Sequence, residues 1–196
     1  MEREIINLEI NYDINKLNRL IRGSLNTVIF NRPQTKNRIL EKIINTVNNN
    51  GLVFYIDLET KFRVNLEQEI IRLKKPENLI VFSMIKNSLD NIIAQICSSN
   101  CNENDIIILD SINALNKKTE NNVLPKVNRK LGIYLSLLKD ISCENGTTVL
   151  IITNFIIKKS IIDEVDLNKF RKTKLIPLGG RVIKKISNNI ISINGR

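Results

Sequence analysis

The chain has 196 residues, of which 42% are hydrophobic and 26% charged, a balance typical of one folded globular domain over residues 1–196. No apolar run approaches the ~18 residues of a membrane span, and the first residues are charged, unlike a signal peptide. These features predict a cytoplasmic protein without a membrane partner. The absence of histidine excludes Ser-His-Asp triads and histidine-bearing zinc sites, and we expect no metal site.

The net charge of +10 is distributed unevenly along the chain. Residues 1–110 contain 14 Lys or Arg and 14 Asp or Glu, whereas residues 111–196 contain 16 and 6. A strongly basic segment typically binds an acidic partner, most often a nucleic acid. The distribution therefore predicts a nucleic-acid-binding surface in the second part of the chain.

Short apolar, β-branched runs alternate with amphipathic stretches whose apolar residues recur at helical spacing. In chain order we predict a strand at Thr27–Phe30, a helix at Lys36–Asn49, a strand at Gly51–Asp57, a helix at Asn65–Leu73, a strand at Leu79–Phe82, a helix at Ser88–Cys97, a strand at Asp105–Leu109, a helix at Val127–Ile141 and a strand at Thr147–Thr153. Two further apolar segments, Val182–Ile186 and Asn189–Ile193, flank a Ser-Asn pair and predict a terminal β-hairpin.

Strands that are apolar throughout are buried on both faces, as in a parallel sheet covered by helices. The predicted fold class is therefore α/β, with a mostly parallel sheet flanked by helices and a C-terminal β-hairpin. In such sheets the site lies beyond the carboxyl ends of the strands. Two long polar segments, Asn116–Lys126 and Phe155–Leu178, are expected to be loops, and loops of this length in a compact domain are commonly functional.

The segment Gly51–Arg63, GLVFYIDLETKFR, resembles the ATPase core of the RecA/RadA recombinase family, whose second strand runs into a Y-I-D-T-E-x-x-F-R pattern. Further landmarks follow in the family's order. Ile106–Leu115 is similar to its Walker B strand, Val149–Asn154 to its T-N-Q strand and Gly179–Gly180 to its G-G pair. The resemblance spans residues 13–193. It implies a RecA-like, P-loop NTPase-type fold in a core-only paralogue of RadA-type proteins, without the family's N-terminal helical DNA-binding domain.

The stretch aligned with the family's P-loop departs from the pattern at every position. The pattern G-x-x-x-x-G-K-[ST] supplies glycines that let backbone N–H groups approach the phosphates, a lysine for their charge and a hydroxyl for Mg²⁺. Here the four motif positions are occupied by Asn31, Lys36, Asn37 and Arg38. Lys36 stands one residue before the family's lysine position, a rotation of ~100° on a helix. These four residues and Ser111 are the candidates for a degenerate nucleotide site.

Two acidic residues of the family's catalytic apparatus are retained. By resemblance, Asp110 corresponds to the carboxylate on the Mg²⁺ side and Glu59 to the residue that orients the attacking water. Phe155 replaces the glutamine that senses the terminal phosphate. Loss of both the P-loop and this glutamine favours a protein that no longer cycles ATP, in which Glu59 and Asp110 are vestigial. Glu59 is then expected to pair with Arg63 or Lys36, and Asp110 to cap the turn after its strand.

The resemblance also implies that the two long loops face a DNA channel. The candidate DNA-binding residues are basic side chains of these loops and their flanks, together with one phenylalanine: Lys117, Lys118, Arg129, Lys130, Lys158, Lys159, Lys169, Phe170, Arg171, Lys172 and Lys174. Phe170 is expected either to stack on a base or to anchor the loop in the core. Phosphate contacts of this kind give salt-sensitive binding that does not depend on base sequence.

Three functions are consistent with these features. The first, favoured by the resemblance and the charge, is a non-catalytic RadA-like paralogue that binds single-stranded DNA and assists homologous recombination and DNA repair without a cofactor. The second is an ATPase with an unorthodox nucleotide site, which would use ATP and Mg²⁺ at Glu59 and Asp110. The third is an interaction subunit that loads or caps a RadA-type recombinase or another paralogue.

Overall fold

The strands are rich in isoleucine, leucine and valine, and they assemble into one sheet with helices on both faces. The structure is a computed structural model that describes residues 20–30, 32–47, 50–85, 87–117, 124–154 and 180–193. Within these ranges the elements in chain order are β1 (Leu25–Phe30), α1 (Pro33–Asn45), β2 (Val53–Asp57), α2 (Phe62–Glu67), β3 (Leu79–Ser83), α3 (Leu89–Ser98), β4 (Ile106–Asp110), α4 (Asn113–Lys117), α5 (Leu124–Asn145), β5 (Thr148–Asn154), α6 (Gly180–Ile186) and β6 (Asn189–Ile193).

All six strands of the described sheet are parallel, in the order β3-β2-β4-β5-β1-β6. Their carboxyl ends therefore meet at one edge, where Phe30, Asp57, Asp110 and Asn154 end β1, β2, β4 and β5. Parallel strands need crossover connections, and the helices supply them. The predicted α/β class with a parallel sheet flanked by helices is confirmed, and the arrangement is consistent with a RecA-like fold.

The two faces of the sheet bury separate apolar cores. On one face, strand residues such as Leu109 and Ile151 pack against α3, α5 and α6. On the opposite face, Ile108 and Ile152 pack against α1 and the region of α2. Alternation of side chains along each strand supplies both layers. No helix in the described part of the chain is both long and apolar enough to cross a membrane.

The C-terminal hairpin expected over residues 182–193 is replaced by a helix and a strand. Its first half is α6, and β6 pairs in parallel with β1 rather than with a neighbouring hairpin arm. The apolar residues Val182, Ile183 and Ile186 have helical spacing and pack against the core that α5 covers. Two lysines lie in the last turn of α6, where cations stabilise the helix dipole. A parallel β6 requires this crossover, which a two-residue turn cannot provide.

The helix predicted at Asn65–Leu73 begins and ends earlier, as α2. Asp57 Oδ2 accepts a hydrogen bond of 2.9 Å from the backbone N of Phe62, which satisfies one of the free donors of the first turn. Glu69, with a φ of +52°, interrupts helical geometry beyond the last turn. The loop predicted at Asn116–Lys126 is also shorter than expected, because α4 and α5 include its two ends.

Replacement of Gly51, just before β2, tests how closely the chain packs at the amino edge of the sheet. A Cβ atom there would lie 2.3 Å from the backbone oxygen of Asn104, so Gly51→Ala is expected to lower the free energy of unfolding by about 1–3 kcal/mol or more. Gly132 in α5 is the matched control, since its added Cβ would meet nothing closer than 3.8 Å. Gly132→Ala should raise the stability by about 0.5–1 kcal/mol. Urea unfolding of both variants measures this, and losses of equal size would contradict the packing.

Candidate functional site

The connection between β1 and α1 is short. Only two residues separate β1 from the start of α1 at Pro33, whereas a P-loop needs a glycine-rich turn whose N–H groups surround the phosphates. Proline is favoured at the first helical position because its missing N–H would be unpaired there. The backbone N of Lys36 donates to the Arg32 carbonyl at 3.2 Å. Lys36 therefore lies in the first turn of α1, beside the carboxyl edge of the sheet.

From this turn the Lys36 side chain extends into a buried pair of carboxylates. Its Nζ lies 3.1 and 3.0 Å from the two carboxylate oxygens of Asp110 and 3.4 Å from Oε2 of Glu59. Lys36 is 7% exposed and Asp110 2%, so solvent and salt screen this pair only weakly. The ammonium also lies 5.8 Å from the ring centroid of Phe30, within cation–π range. Lys36 thus reaches the end of β4 in spite of its one-residue displacement in sequence.

Two hydroxyl groups complete this cluster, which we call the ion cluster: Lys36, Tyr55, Glu59, Asp110 and Ser111. The Tyr55 hydroxyl donates to Oδ2 of Asp110, and Ser111 Oγ donates to Oε1 of Glu59 at 2.6 Å. Each of the four carboxylate oxygens therefore accepts at least one hydrogen bond. In this arrangement the ammonium and the carboxylates satisfy one another.

Burial and mutual charge shift the pKa values of the ion cluster. Burial lowers the pKa of Lys36, but the carboxylates of Asp110 and Glu59 outweigh it and hold the pKa above its ordinary 10.5. Burial raises the pKa of Glu59, but the Ser111 hydrogen bond and Lys36 bring it below 4.5. For Asp110, burial outweighs Lys36 and Tyr55, and its pKa stays above 3.8. Burial and the Asp110 charge together hold the pKa of Tyr55 well above 10.0.

The turn after β2 directs Glu59 into the ion cluster. Asp57 is the register neighbour of Asp110 across β2 and β4, and the Leu58 backbone N donates to the Asp110 carbonyl at 2.7 Å. Thr60 follows with a φ of +59°, a left-handed conformation that is costly for a β-branched residue. Strained residues of this kind cluster at functional sites.

The predicted nucleotide-site residues divide into two groups. Lys36 and Ser111 belong to the ion cluster. Asn37 is turned to a different neighbour, since its Oδ1 accepts a hydrogen bond of 3.4 Å from Asn65 Nδ2, and Arg38 is exposed. Asn31 lies outside the described residues. The two buried members of the set, Lys36 and Ser111, therefore both contact carboxylates.

The expectations for the two carboxylates are met in part. The predicted pairing of Glu59 with Lys36 is confirmed. The alternative pairing with Arg63 is wrong, because Arg63 Nε lies 3.0 Å from Glu67 in an exposed pair one helical turn away. Asp110 was expected to cap the following turn, but its carboxylate oxygens accept from Lys36 and Tyr55 instead. The contact with Lys36 compensates the buried charge of Asp110.

The predicted DNA-binding residues lie partly beyond the described part of the chain. Arg129 and Lys130 are exposed on α5, where Lys130 Nζ lies 3.7 Å from Asp90 Oδ2, and Lys117 is in α4. The remaining members of the set fall outside the described residues: Lys118, Lys158, Lys159, Lys169, Phe170, Arg171, Lys172 and Lys174. The same holds for Phe155 and for the long loop that it begins.

Sequence reasoning quoted Tyr55 as part of a motif but missed it as a site residue. Its ring stacks on Phe62, with ring centroids 3.7 Å apart, and its hydroxyl reaches Asp110. A tyrosine in the middle of a fully buried apolar strand is a usable signal, because its hydroxyl needs a partner there. In a sheet that ends in carboxylates, one of those carboxylates is the partner to expect.

Comparisons of this chain with models of protein families and with curated proteins find no match. The resemblance to the RecA/RadA core is therefore an inference from the residues quoted above, and the parallel sheet is consistent with it.

Replacing Lys36 with methionine tests the ion cluster. Lys36→Met is expected to lower the free energy of unfolding by about 3–5 kcal/mol, because the buried Asp110 carboxylate loses its cation. The matched control is Lys42→Met, an exposed lysine on the same helix, which should change stability by less than about 0.5 kcal/mol. Urea unfolding at neutral pH measures both variants. Similar effects of the two substitutions would contradict the cluster.

Alkaline pH should weaken the fold through Tyr55 and Lys36. Both have folded-state pKa values above their ordinary 10.0 and 10.5, so their stabilisation is complete below pH 10.0 and is lost as the pH rises towards the folded-state values. Each proton lost on unfolding lowers stability by about 1.4 kcal/mol per pH unit. Tyr55→Phe keeps the ring stacked on Phe62 and removes one of these protons, so its stability should fall less steeply above pH 10.0. Parallel pH profiles for the two proteins would contradict this assignment.

Proposed function

We propose that this chain is a non-catalytic, RecA-like cytoplasmic protein that binds single-stranded DNA without nucleotide and assists homologous recombination and DNA repair. The observation that carries the proposal is the buried contact of Lys36 with Asp110, at 3.0 Å. Where a P-loop protein would bring its lysine, metal-side carboxylate and catalytic glutamate to a nucleotide, these side chains are bonded to one another. Because the charges of this site already compensate one another, a phosphate would gain little binding free energy there.

The DNA-binding half of the proposal is supported by charge and topology. The 86 residues from 111 to 196 contain the whole net charge of +10. Residues 155–179 contain six basic and three acidic residues, and they follow Asn154 at the carboxyl end of β5. α4 and Lys117 follow β4 at the same edge of the sheet. Two basic segments thus leave the sheet at one edge, as a shared phosphate-binding surface would require.

The ATPase alternative has less support. Glu59 and Asp110 do lie together at the carboxyl edge, which any ATPase of this type would need. However, α1 begins at Pro33, where a glycine-rich loop would have to turn, and every carboxylate oxygen of the pair already has a donor. Nucleotide binding would require Lys36 to leave Asp110 uncompensated, a cost of about 3–5 kcal/mol for a buried pair.

A second function, binding of a RadA-type recombinase or another paralogue, is favoured by the edge strand β3. This strand is the last in the described sheet order, and Ile80, Val81 and the nearby Ile85 are 39%, 37% and 76% exposed. An exposed apolar edge strand is typical of a place where another protein binds. Such a partner is compatible with DNA binding, because β3 is at the opposite side of the sheet from β5 and β1.

Single-strand binding against salt tests the proposed function. We expect the chain to bind an oligothymidylate without ATP, with affinity falling steeply between about 50 mM and 200 mM salt. Replacing Lys158, Lys159, Arg171 and Lys172 together with alanine should reduce the slope of log affinity against log salt by up to about 3, at ~0.7 per phosphate contact on single strands. Fluorescence anisotropy measures both slopes.

The control variant removes the same number of charges from the neutral part of the chain. Arg22, Lys42, Lys61 and Lys74 are all exposed, and their joint replacement with alanine should leave the slope unchanged to within about one contact. Equal losses in the two variants would mean that binding follows net charge alone. Absence of binding at about 50 mM salt, or binding only in the presence of ATP, would contradict the proposal.

A further inference from the structure

The outward side of α5 combines exposed apolar residues with unpaired charges. This helix, Leu124–Asn145, is the longest in the described part of the chain, and it contacts both α3 and α6. Leu131, Leu135 and Leu138 are buried in the core on this face of the sheet. The residues on the other side of the helix axis therefore face away from the sheet.

Two large apolar side chains lie one turn apart on this outward side. Ile133 is 52% exposed and Leu137 40% exposed, and the neighbouring Ser136 is also exposed. A single exposed apolar residue is ordinary, but the outward side of a helix that covers a sheet is usually polar. Adjacent apolar side chains at such a place are typical of a surface that another protein covers.

Charged residues extend the same side of the helix in both directions. Arg129 lies one turn before Ile133, and Asp140 and Glu144 follow Leu137 at spacings that keep them on this side. All three charged residues are exposed, and none of them forms an ion pair within the described residues. We call this set of residues the α5 stripe: Arg129, Ile133, Ser136, Leu137, Asp140 and Glu144.

The order of these charges opposes the electrostatics of the helix itself. Glu144 lies in the last turn, which contains no basic residue, and the first turn contains no acidic residue. An anion at the end of a helix is unfavourable because the dipole is negative there. Asp140 and Glu144 are four residues apart, a spacing at which like charges repel each other. A basic group brought to this end of the helix from outside would compensate both effects.

The lysines of α5 and α6 do not supply this basic group. Lys130 lies 3.7 Å from Asp90 of α3, and Lys126 is in the first turn, at the opposite end of α5. Within the described residues, no ion pair joins Asp140 or Glu144 to the remaining lysines of these two helices, Lys139, Lys184 and Lys185.

We propose that α5 pairs antiparallel with α5 of a second copy of this chain, about a two-fold axis between Ser136 and Leu137. This axis brings Arg129 of each copy opposite Glu144 of the other copy. It also places the large Leu137 opposite the small Ser136, with Ile133 one turn away. Every contact then occurs twice, because both copies present the same surface.

The exposed apolar area of the α5 stripe is small, so we expect a weak and reversible dimer, as is usual for interfaces at the low end of the size range. The inference does not rest on the proposed function, because the DNA-binding proposal is carried by basic segments outside α5. It removes Arg129 from the candidate DNA-binding residues, and it leaves the edge strand β3 free for a different partner.

Sedimentation velocity of the full chain tests for this dimer. We expect a reversible equilibrium between monomer and dimer at concentrations between about 10 μM and about 1 mM. A chain that stays monomeric over this whole range would overturn the proposal, since another part of the chain would then have to cover the α5 stripe.

Charge reversal tests the antiparallel arrangement. Arg129→Glu and Glu144→Arg should each weaken self-association about tenfold, because two like-charge contacts replace two attractive ones. Glu144→Arg also puts a cation in the last turn, which stabilises the helix, so unfolding would not explain its loss. An equimolar mixture of the two variants should associate as the unchanged chain does, since each contact again joins opposite charges. Failure of the mixture to recover would overturn the proposal.

The apolar residues of the α5 stripe are tested separately. Replacing Ile133 and Leu137 together with glutamine, which is a good helix former, should weaken association at least about tenfold. Unchanged association of this double variant would overturn the proposal.

Two variants outside α5 are the controls. Lys74→Glu reverses the charge of an exposed lysine and should leave the dimer unchanged, whereas a loss equal to that of Arg129→Glu would mean that association follows net charge alone. Val81→Lys adds a charge to the exposed edge strand β3 and should also have no effect. Loss of the dimer in Val81→Lys would place the interface at β3. Either result would overturn the proposal.

Discussion

A buried lysine ammonium held between two carboxylates organises the carboxyl edge of this sheet. Removal of each charge from water costs several kcal/mol, and only close contact with hydrogen bonds to every remaining oxygen offsets that cost. Three separate elements meet this demand: the first turn of α1 brings Lys36, β4 ends in Asp110, and the turn after β2 brings Glu59. The hydroxyls of Tyr55 and Ser111 donate the remaining bonds. Elements that converge on a nucleotide in P-loop proteins here converge on a side chain.

Residues 1–110 and residues 111–196 differ in net charge and in their share of the ion cluster. The first 110 residues are electrically neutral and contain four of the five residues of the ion cluster. The last 86 residues contain the whole positive excess, and they begin at the carboxyl end of β4. In a nucleotide-driven protein these two parts would be coupled through the bound phosphates. With Lys36 fixed on Asp110, DNA affinity in the proposed function depends on salt and on the basic segments, not on a nucleotide cycle.

Patterns with a strong physical cause were predictable from the sequence. Apolar runs that end in aspartate gave β2 and β4, and the carboxyl-edge location of Glu59 and Asp110 followed from the parallel sheet. The pairing of Lys36 with Glu59 was among the expected alternatives, but its closer contact with Asp110 was not. Lys36 stands one residue before the family's lysine position, which on an ideal helix turns its side chain away by ~100°. In the structure α1 begins early, at Pro33, and the long side chain of Lys36 still reaches Asp110.

Other features depended on tertiary context. The strand reading of Val182–Ile186 failed because a five-residue segment with three apolar residues fits either geometry. Only the parallel pairing of β6 with β1 requires a crossover before it. The role of Tyr55 depended on which strand end came to lie beside its hydroxyl. The early end of α2 was not indicated by the apolar spacing of residues 66–73.

Isothermal titration calorimetry of the full chain with ATP and Mg²⁺ tests most directly whether the Lys36 cluster has replaced nucleotide binding. We predict no saturable heat at nucleotide concentrations up to about 1 mM, which corresponds to a binding free energy weaker than about −4 kcal/mol. One-site binding with a Kd below about 1 mM, abolished by Asp110→Asn, would show that Lys36 gives way to a phosphate and would contradict the replacement.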